Sequence, residues 1–86
     1  MKKIVSTFGQ VNVSNIEAPV IVIYNSPEEY KGYFVAKLWD LDKPTDTLMI
    51  KKTLSEIRED IKTHFPIMSR LPRLEIDDIC IVETWM

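Results

Sequence analysis

Only one stretch of the chain repeats with the period of a helix, and this limits the fold more than any other feature. From Leu54 the apolar residues Leu54, Ile57, Ile61 and Phe65 recur three or four positions apart, a narrow stripe along one side. Thr53-Leu-Ser-Glu56 opens the helix as a capping box, in which the threonine hydroxyl serves the Glu56 amide and the glutamate reaches back to the Thr53 amide. Pro66 closes it, since proline has no amide proton to continue the ladder. One such helix covers one face of one sheet, so the rest of the fold has to be strands and turns arranged around it.

The strands are marked by composition and by their stops. Val20-Ile-Val-Ile-Tyr24 is a β-branched run between Pro19 and Asn25-Ser-Pro27. Ser26-Pro-Glu-Glu29 has the form of a capped helical turn, closed near Gly32. Tyr33 to Asp40 reads as a second strand and Thr47 to Ile50 as a shorter third, with Pro44 in the connection because it cannot donate to a ladder. Pro66 to Arg73, with two prolines, reads as a loop, and Ile79 to Trp85 as the last strand. Residues 4–13 alternate weakly and suit an edge strand, a hairpin around Gly9 or a loose arm. The expectation is an α+β fold: a small antiparallel sheet with one main helix on one face, in the order β-β-β-α-β. Residues 18–86 form the single domain, and residues 1–17 an N-terminal arm or extra edge strand.

Composition narrows the function classes. The 86 residues are 45% apolar and 28% charged, the balance of a soluble globular chain. No apolar run approaches about 18 residues, and the apolar stretch after Lys2-Lys3 is too short for a signal peptide, so the expected location is cytoplasmic, with no membrane partner. The net charge of −2 lacks the basic excess that drives nucleic-acid binding. A single cysteine, Cys80, excludes an internal disulfide and a multi-thiolate zinc site. Set between Ile79 and Ile81, it reads as a buried strand residue rather than a nucleophile.

Four groups of residues could carry chemistry. Asp40, Asp42 and Asp46 crowd one turn, but they lack the glycine and the distal glutamate of a calcium loop, so they read as turn formers. His64, the one histidine, falls four residues after Asp60 and reads as a helix-end partner of that carboxylate; a dyad with Cys80 would depend on the fold. Arg70 and Arg73 suit an anion or an acidic partner, or else they neutralise the acidic stretch Glu75, Asp77 and Asp78. No residue is assigned to catalysis, to a cofactor or to a metal.

The fourth group is apolar. In the second strand Phe34, Ala36 and Leu38 point one way, and Tyr33, Val35 and Trp39 the other. With Val20, Val22 and Tyr24 in register, the face away from the helix is too apolar to stay wet. Either the N-terminal arm covers it or another molecule does. Tyr24, Tyr33, Val35 and Trp39 are the candidate interaction residues, joined by Trp85 on the terminal strand, whose edge could pair with a partner strand.

The stretch Gly32-Tyr-Phe-Val-Ala-Lys-Leu-Trp-Asp-Leu41, followed after a short strand by Thr53-Leu-Ser-Glu-Ile57 and a helix, resembles the N-terminal module of HicB-like antitoxins over about residues 20 to 64. Those proteins show a Gly-Tyr-hydrophobic-Val-Ala strand ending near Asp-Leu, then Thr-Leu-Glu-Glu-Ala opening a helix. The resemblance implies a strand-strand-strand-helix-strand fold and a partner-binding or oligomeric role. The chain departs from the pattern in lacking a Pro-Gly after the strand and a Gly-Asp before Thr53, and residues 65–86 leave no room for a DNA-binding tail. From Tyr24 to Trp85 it also looks like small bacterial proteins to which no function attaches. The expectation is a protein-binding or regulatory module that forms a homo-oligomer and is not an enzyme. The alternatives are a small-ligand or enzyme-like site built on the acidic turn and Arg70/Arg73, and an antitoxin-type nucleic-acid binder.

Overall fold

The computed structural model describes residues 2–73 and 79–86. Its strands are β1 (Lys3–Val5), β2 (Pro19–Asn25), β3 (Phe34–Asp40), β4 (Lys43–Lys51), β5 (Arg70–Pro72) and β6 (Ile81–Trp85), with one helix, α1 (Leu54–His64). They form a single sheet in the order β1-β4-β3-β2-β6-β5, and every neighbouring pair is antiparallel except β1 with β4. The fold is α+β, as the sequence indicates, with six strands in a mixed sheet. Among the described residues no helix is long and apolar enough to cross a membrane.

Helix α1 starts as its sequence dictates. Thr53 Oγ1 accepts from the Glu56 amide at 3.2 Å, and the Glu56 carboxylate accepts from the Thr53 amide at 3.3 Å. Ile57 and Ile61 are fully buried against Ile21, Ile23, Ala36, Leu38 and Met49 of the sheet, with Phe65 just past the helix end and Trp85 from β6. Each such side chain contributes about 1.5–3 kcal/mol by leaving water, so this layer is the main source of stability.

Residues 2–17 belong to this same side. Val5 and Phe8 are buried in the core, and the Phe8 ring meets the edge of Phe65 with centroids 5.9 Å apart. The segment is fixed to α1 by its first turn. The Phe8 amide donates to Asp60 Oδ2 at 2.8 Å, and the Thr7 hydroxyl donates to Asp60 Oδ1. That uses the hydroxyl's one proton, so the 3.0 Å contact from Thr7 Oγ1 to His64 Nε2 is a ring N–H donating to oxygen. Gly9 packs close against the imidazole: a Cβ there would stand 2.6 Å from His64 Cε1. The arm is therefore an edge strand and a clamp on the helix side, and it leaves the second sheet face alone.

Four local expectations are corrected. Pro44 lies inside β4, paired with Trp39 beside a register shift, rather than in the connection. Strand β1 reaches only Thr47 to Met49, so the outer edge at Pro44 needs no donor. The stretch that reads as a loop, Pro66 to Arg73, contains β5, where Pro72 is tolerated because the strand is an edge. Ser26 caps no helix. Its hydroxyl accepts from the Gly32 amide at 2.9 Å, Glu28 to Tyr30 form a single 3-10 turn without a side-chain cap, and Gly32 takes a φ of 86° that favours glycine. Cys80 precedes β6 and is only partly buried, next to an Ile79 that is 87% exposed.

Candidate functional site

Alternation along β2, β3 and β4 sends a second apolar set to the face opposite α1. Register aligns Val20 with Trp39, and Val22 with Lys37 and Thr84. Tyr24 lies between Val35 and Ile81, with Ile50 beyond Val35. Val20, Val35 and Leu48 are buried by their neighbours on this face, so Val35 supports the surface rather than forming it. Val20, Val22, Tyr24, Trp39, Leu41 and Ile81 line a shallow groove of about 350 Å³, with Asp42 and Thr84 at its border. Tyr33, one residue before β3, is 40% exposed and does not line the groove. Trp85 does not join them: it faces the helix, is 5% exposed and belongs to the core. Nor is β6 an edge, since β5 covers it.

The end of this groove is unusual in two ways. Trp39 Nε1 is shut off from solvent and has no hydrogen-bond partner among the described residues, which costs about 1–3 kcal/mol for a buried donor. Leu41, in the two-residue connection between Asp40 and Lys43, is 64% exposed and holds a φ of 56°. A leucine there is strained by about 1–2 kcal/mol, and its side chain stays in water as well. Two groups bring charge to the face. Lys37 Nζ lies 4.9 Å above the Tyr24 ring, and Asp42 is exposed at the groove's rim.

Within the acidic turn, Asp40 anchors the backbone. Asp40 Oδ1 accepts from the Ala18 amide at 3.1 Å, and the Leu41 amide donates to the Ala18 carbonyl at 2.7 Å, which ties the hairpin to the start of β2. Among the described residues no three His, Cys, Asp or Glu side chains are placed to hold a metal ion. A polar groove along α1, lined by Lys51, Ser55, Glu56, Glu59, Asp60, Thr63 and His64, contains the one histidine. Its chemistry is already spent on the arm. Asp60 Oδ1 and Thr7 Oγ1 both approach Nε2, at 3.7 and 3.0 Å, so the acid does not support the far ring nitrogen as a hydroxyl-activating relay needs.

The other charged region is at the β5 edge. Arg58, Arg70, Pro72, Arg73, Val82 and Glu83 line a cleft of about 410 Å³. Glu83, 3% exposed, accepts from Arg58 Nη2 at 2.7 Å and Arg58 Nε at 3.2 Å, and from Trp85 Nε1 at 2.7 Å. Burial pushes its carboxyl up, but the hydrogen bonds from Arg58 and Trp85 and the charges of Arg58 and Arg70 outweigh this and hold it below its usual range. The same pairing raises the Arg58 guanidinium. Arg70 and Arg73, grouped by sequence, are thus in one cleft with an arginine from the helix that sequence did not connect to them. Glu75, Asp77 and Asp78, the acidic stretch set against these arginines, lie outside the described residues.

Comparison of the chain with protein-family models, with curated proteins and with solved structures finds no match.

Proposed function

We propose that the protein is a protein-binding module whose open sheet face docks a second copy of the chain. The observation that carries this reading is one of sides. Helix α1 and the N-terminal arm both pack on one face of the sheet, while the other keeps a groove of Val20, Val22, Tyr24, Trp39, Leu41 and Ile81 that no described element covers.

The charges favour a second copy over an unrelated partner. Lys37 and Asp42 lie on the same face, and neither is in an ion pair among the described residues. A two-fold contact sets each against the other's opposite, so that burying the lysine does not leave it unpaired. An apolar patch with one cation and one anion is self-complementary in this sense. The resemblance to a partner-binding antitoxin module over residues 20 to 64 points the same way.

Charge reversal tests the pairing. Lys37→Asp alone gives a face with two anions, and Asp42→Lys alone a face with two cations, so each variant self-associates more weakly than the wild type. Mixed together they form a heterodimer. Association that is unchanged in both single variants, or no recovery on mixing, contradicts the two-fold arrangement.

A further inference from the structure

The β3–β4 hairpin carries two more residues on one side than on the other. From Phe34–Lys51 to Lys37–Leu48 the strands pair residue for residue, and at the tip Trp39 pairs with Pro44 and Asp40 with Lys43. Between these blocks β3 has one residue, Leu38, and β4 has three, Thr45, Asp46 and Thr47. One side chain bridges the break. The Thr45 hydroxyl donates to the Leu38 carbonyl at 2.6 Å and accepts from the Thr47 amide at 3.2 Å. Those two backbone groups bond each other directly when the first block is continued to the tip, since Leu38 then faces Thr47.

Continuing that block leaves the rest of the sheet in place. Strand β3 stays paired with β2 as far as Asp40 with Pro19, and Asp40 keeps its bond to the Ala18 amide. Strand β1 holds β4 only from Thr47 to Met49, so among the described residues no strand fixes residues 43–46 from outside. A slip of two residues also keeps paired side chains on their own faces. In the continuous register Trp39 faces Asp46, Asp40 faces Thr45, and Leu41 to Pro44 form a four-residue loop. Three unfavourable features of the tight register are then relieved together. A four-residue loop is commonly built on a type I turn with negative φ, so Leu41 leaves its φ of 56°. Pro44 leaves the ladder. Asp46 brings a carboxylate beside Trp39 Nε1, the buried donor without a partner among the described residues, as Glu83 does for Trp85 Nε1. Against this, the tight register keeps two cross-strand pairs and both Thr45 bonds.

We propose that this hairpin is a two-register switch, and that the tight register is the form that docks a second copy. The tight register places Leu41 and Asp42 in the groove. The continuous one withdraws both and sets a carboxylate next to Trp39, on the surface that docking buries. The effect on docking rests on the function proposed above, whereas the switch rests on register alone, so the two are read separately.

Chemical-exchange saturation transfer NMR on the full wild-type chain reads the switch, at two low concentrations so that exchange within one chain is told from association. Residues 38–47 and the Trp39 indole N–H should share one concentration-independent exchange process, with the indole proton downfield in the minor state, while β2, β6 and the Trp85 indole stay out of it. Leu41→Gly should lower the minor population about fivefold or more, by relieving the strain of the tight turn. Thr45→Val should raise it by about fivefold or more, by removing the bridge, and Thr45→Ser should restore the wild-type value. Thr45 does not line the groove, so weaker self-association of Thr45→Val, recovered in Thr45→Ser, ties the register to docking. No exchange over residues 38–47 in either the wild type or Thr45→Val, a Trp39 indole unmoved in the minor state, or populations that ignore both substitutions would each overturn the switch. Exchange as expected with self-association unchanged in Thr45→Val would overturn its tie to docking. A wild type that stays one chain at every concentration would overturn that tie together with the docking function, and leave the switch standing on the exchange data.

Discussion

Replacing Glu83 by glutamine removes one charge from the most buried ionic group described in the fold, and the structure sets the size of the effect. The glutamine carbonyl can still accept from Trp85 Nε1, so that bond survives. What is lost is the charge-assisted fork to Arg58, where the new amide NH₂ faces a guanidinium that is also a donor. Hydrogen bonds to charged groups are worth about 1.5–3 kcal/mol, and water reaches Arg58 at 35% exposure and recovers part of this, so about 2 kcal/mol is expected. For a domain of this size that lowers Tm by roughly 8–16 °C, at a fixed protein concentration. The loss depends on pH. Glu83 titrates lower in the folded chain than in the unfolded one, so the unfolded state binds more protons and stability rises with pH through that window. The wild-type advantage is complete above the ordinary glutamate value of about 4.3 and fades as pH falls through the lowered folded value. Urea unfolding of both proteins at several pH values reads this directly. Equal stability at pH 7, or a difference that stays constant down to about pH 2, would refute the assignment of the stabilisation to an ionised Glu83.

Two further substitutions probe the arm and the hairpin. Gly9→Ala puts a methyl group 2.6 Å from His64 Cε1, so the arm has to shift; a cost of about 1–3 kcal/mol is expected, with faster amide exchange at residues 3–10 and little change in β2 and β3. Leu41→Gly relieves the positive φ at an exposed position and is expected to raise chemical-denaturation stability by roughly 0.5–1 kcal/mol while weakening self-association, because the same leucine lines the docking groove. Gain of stability with unchanged association would remove Leu41 from the interface.

How much of this was legible in the sequence depends on the range of the interaction. The capping box, the apolar stripe of α1 and the stop at Pro66 are set within a few residues, and the structure repeats them. The split of β2 and β3 into two apolar sets follows from alternation alone, so the open face could be read before the fold was known. What decides whether that face is covered is a contact across the chain, from Thr7 and Phe8 to Asp60, 53 and 52 residues away. No local pattern encodes it. The same holds for Arg58 with Glu83, 25 residues apart, which brings a helix arginine into the cleft of Arg70 and Arg73. Prolines misled in both directions: Pro44 and Pro72 argue against strands, yet each lies where an unpaired edge makes the missing amide harmless. From sequence Trp85 belongs to an edge strand, because β5, which covers β6, has the composition of a loop.

Whether a second copy covers the face bearing Val22, Tyr24 and Trp39 is decided by light scattering of the wild-type chain over a wide range of concentration, with the two indole N–H resonances followed in parallel. Trp85 Nε1 is bonded to Glu83 within the chain and serves as an internal reference, whereas Trp39 Nε1 has no acceptor among the described residues. Two-fold docking gives a mass that rises toward twice that of one chain as concentration increases, with the Trp39 indole signal moving along the same curve and the Trp85 signal fixed. A mass of one chain at every concentration, with both indole signals unmoved, would contradict it.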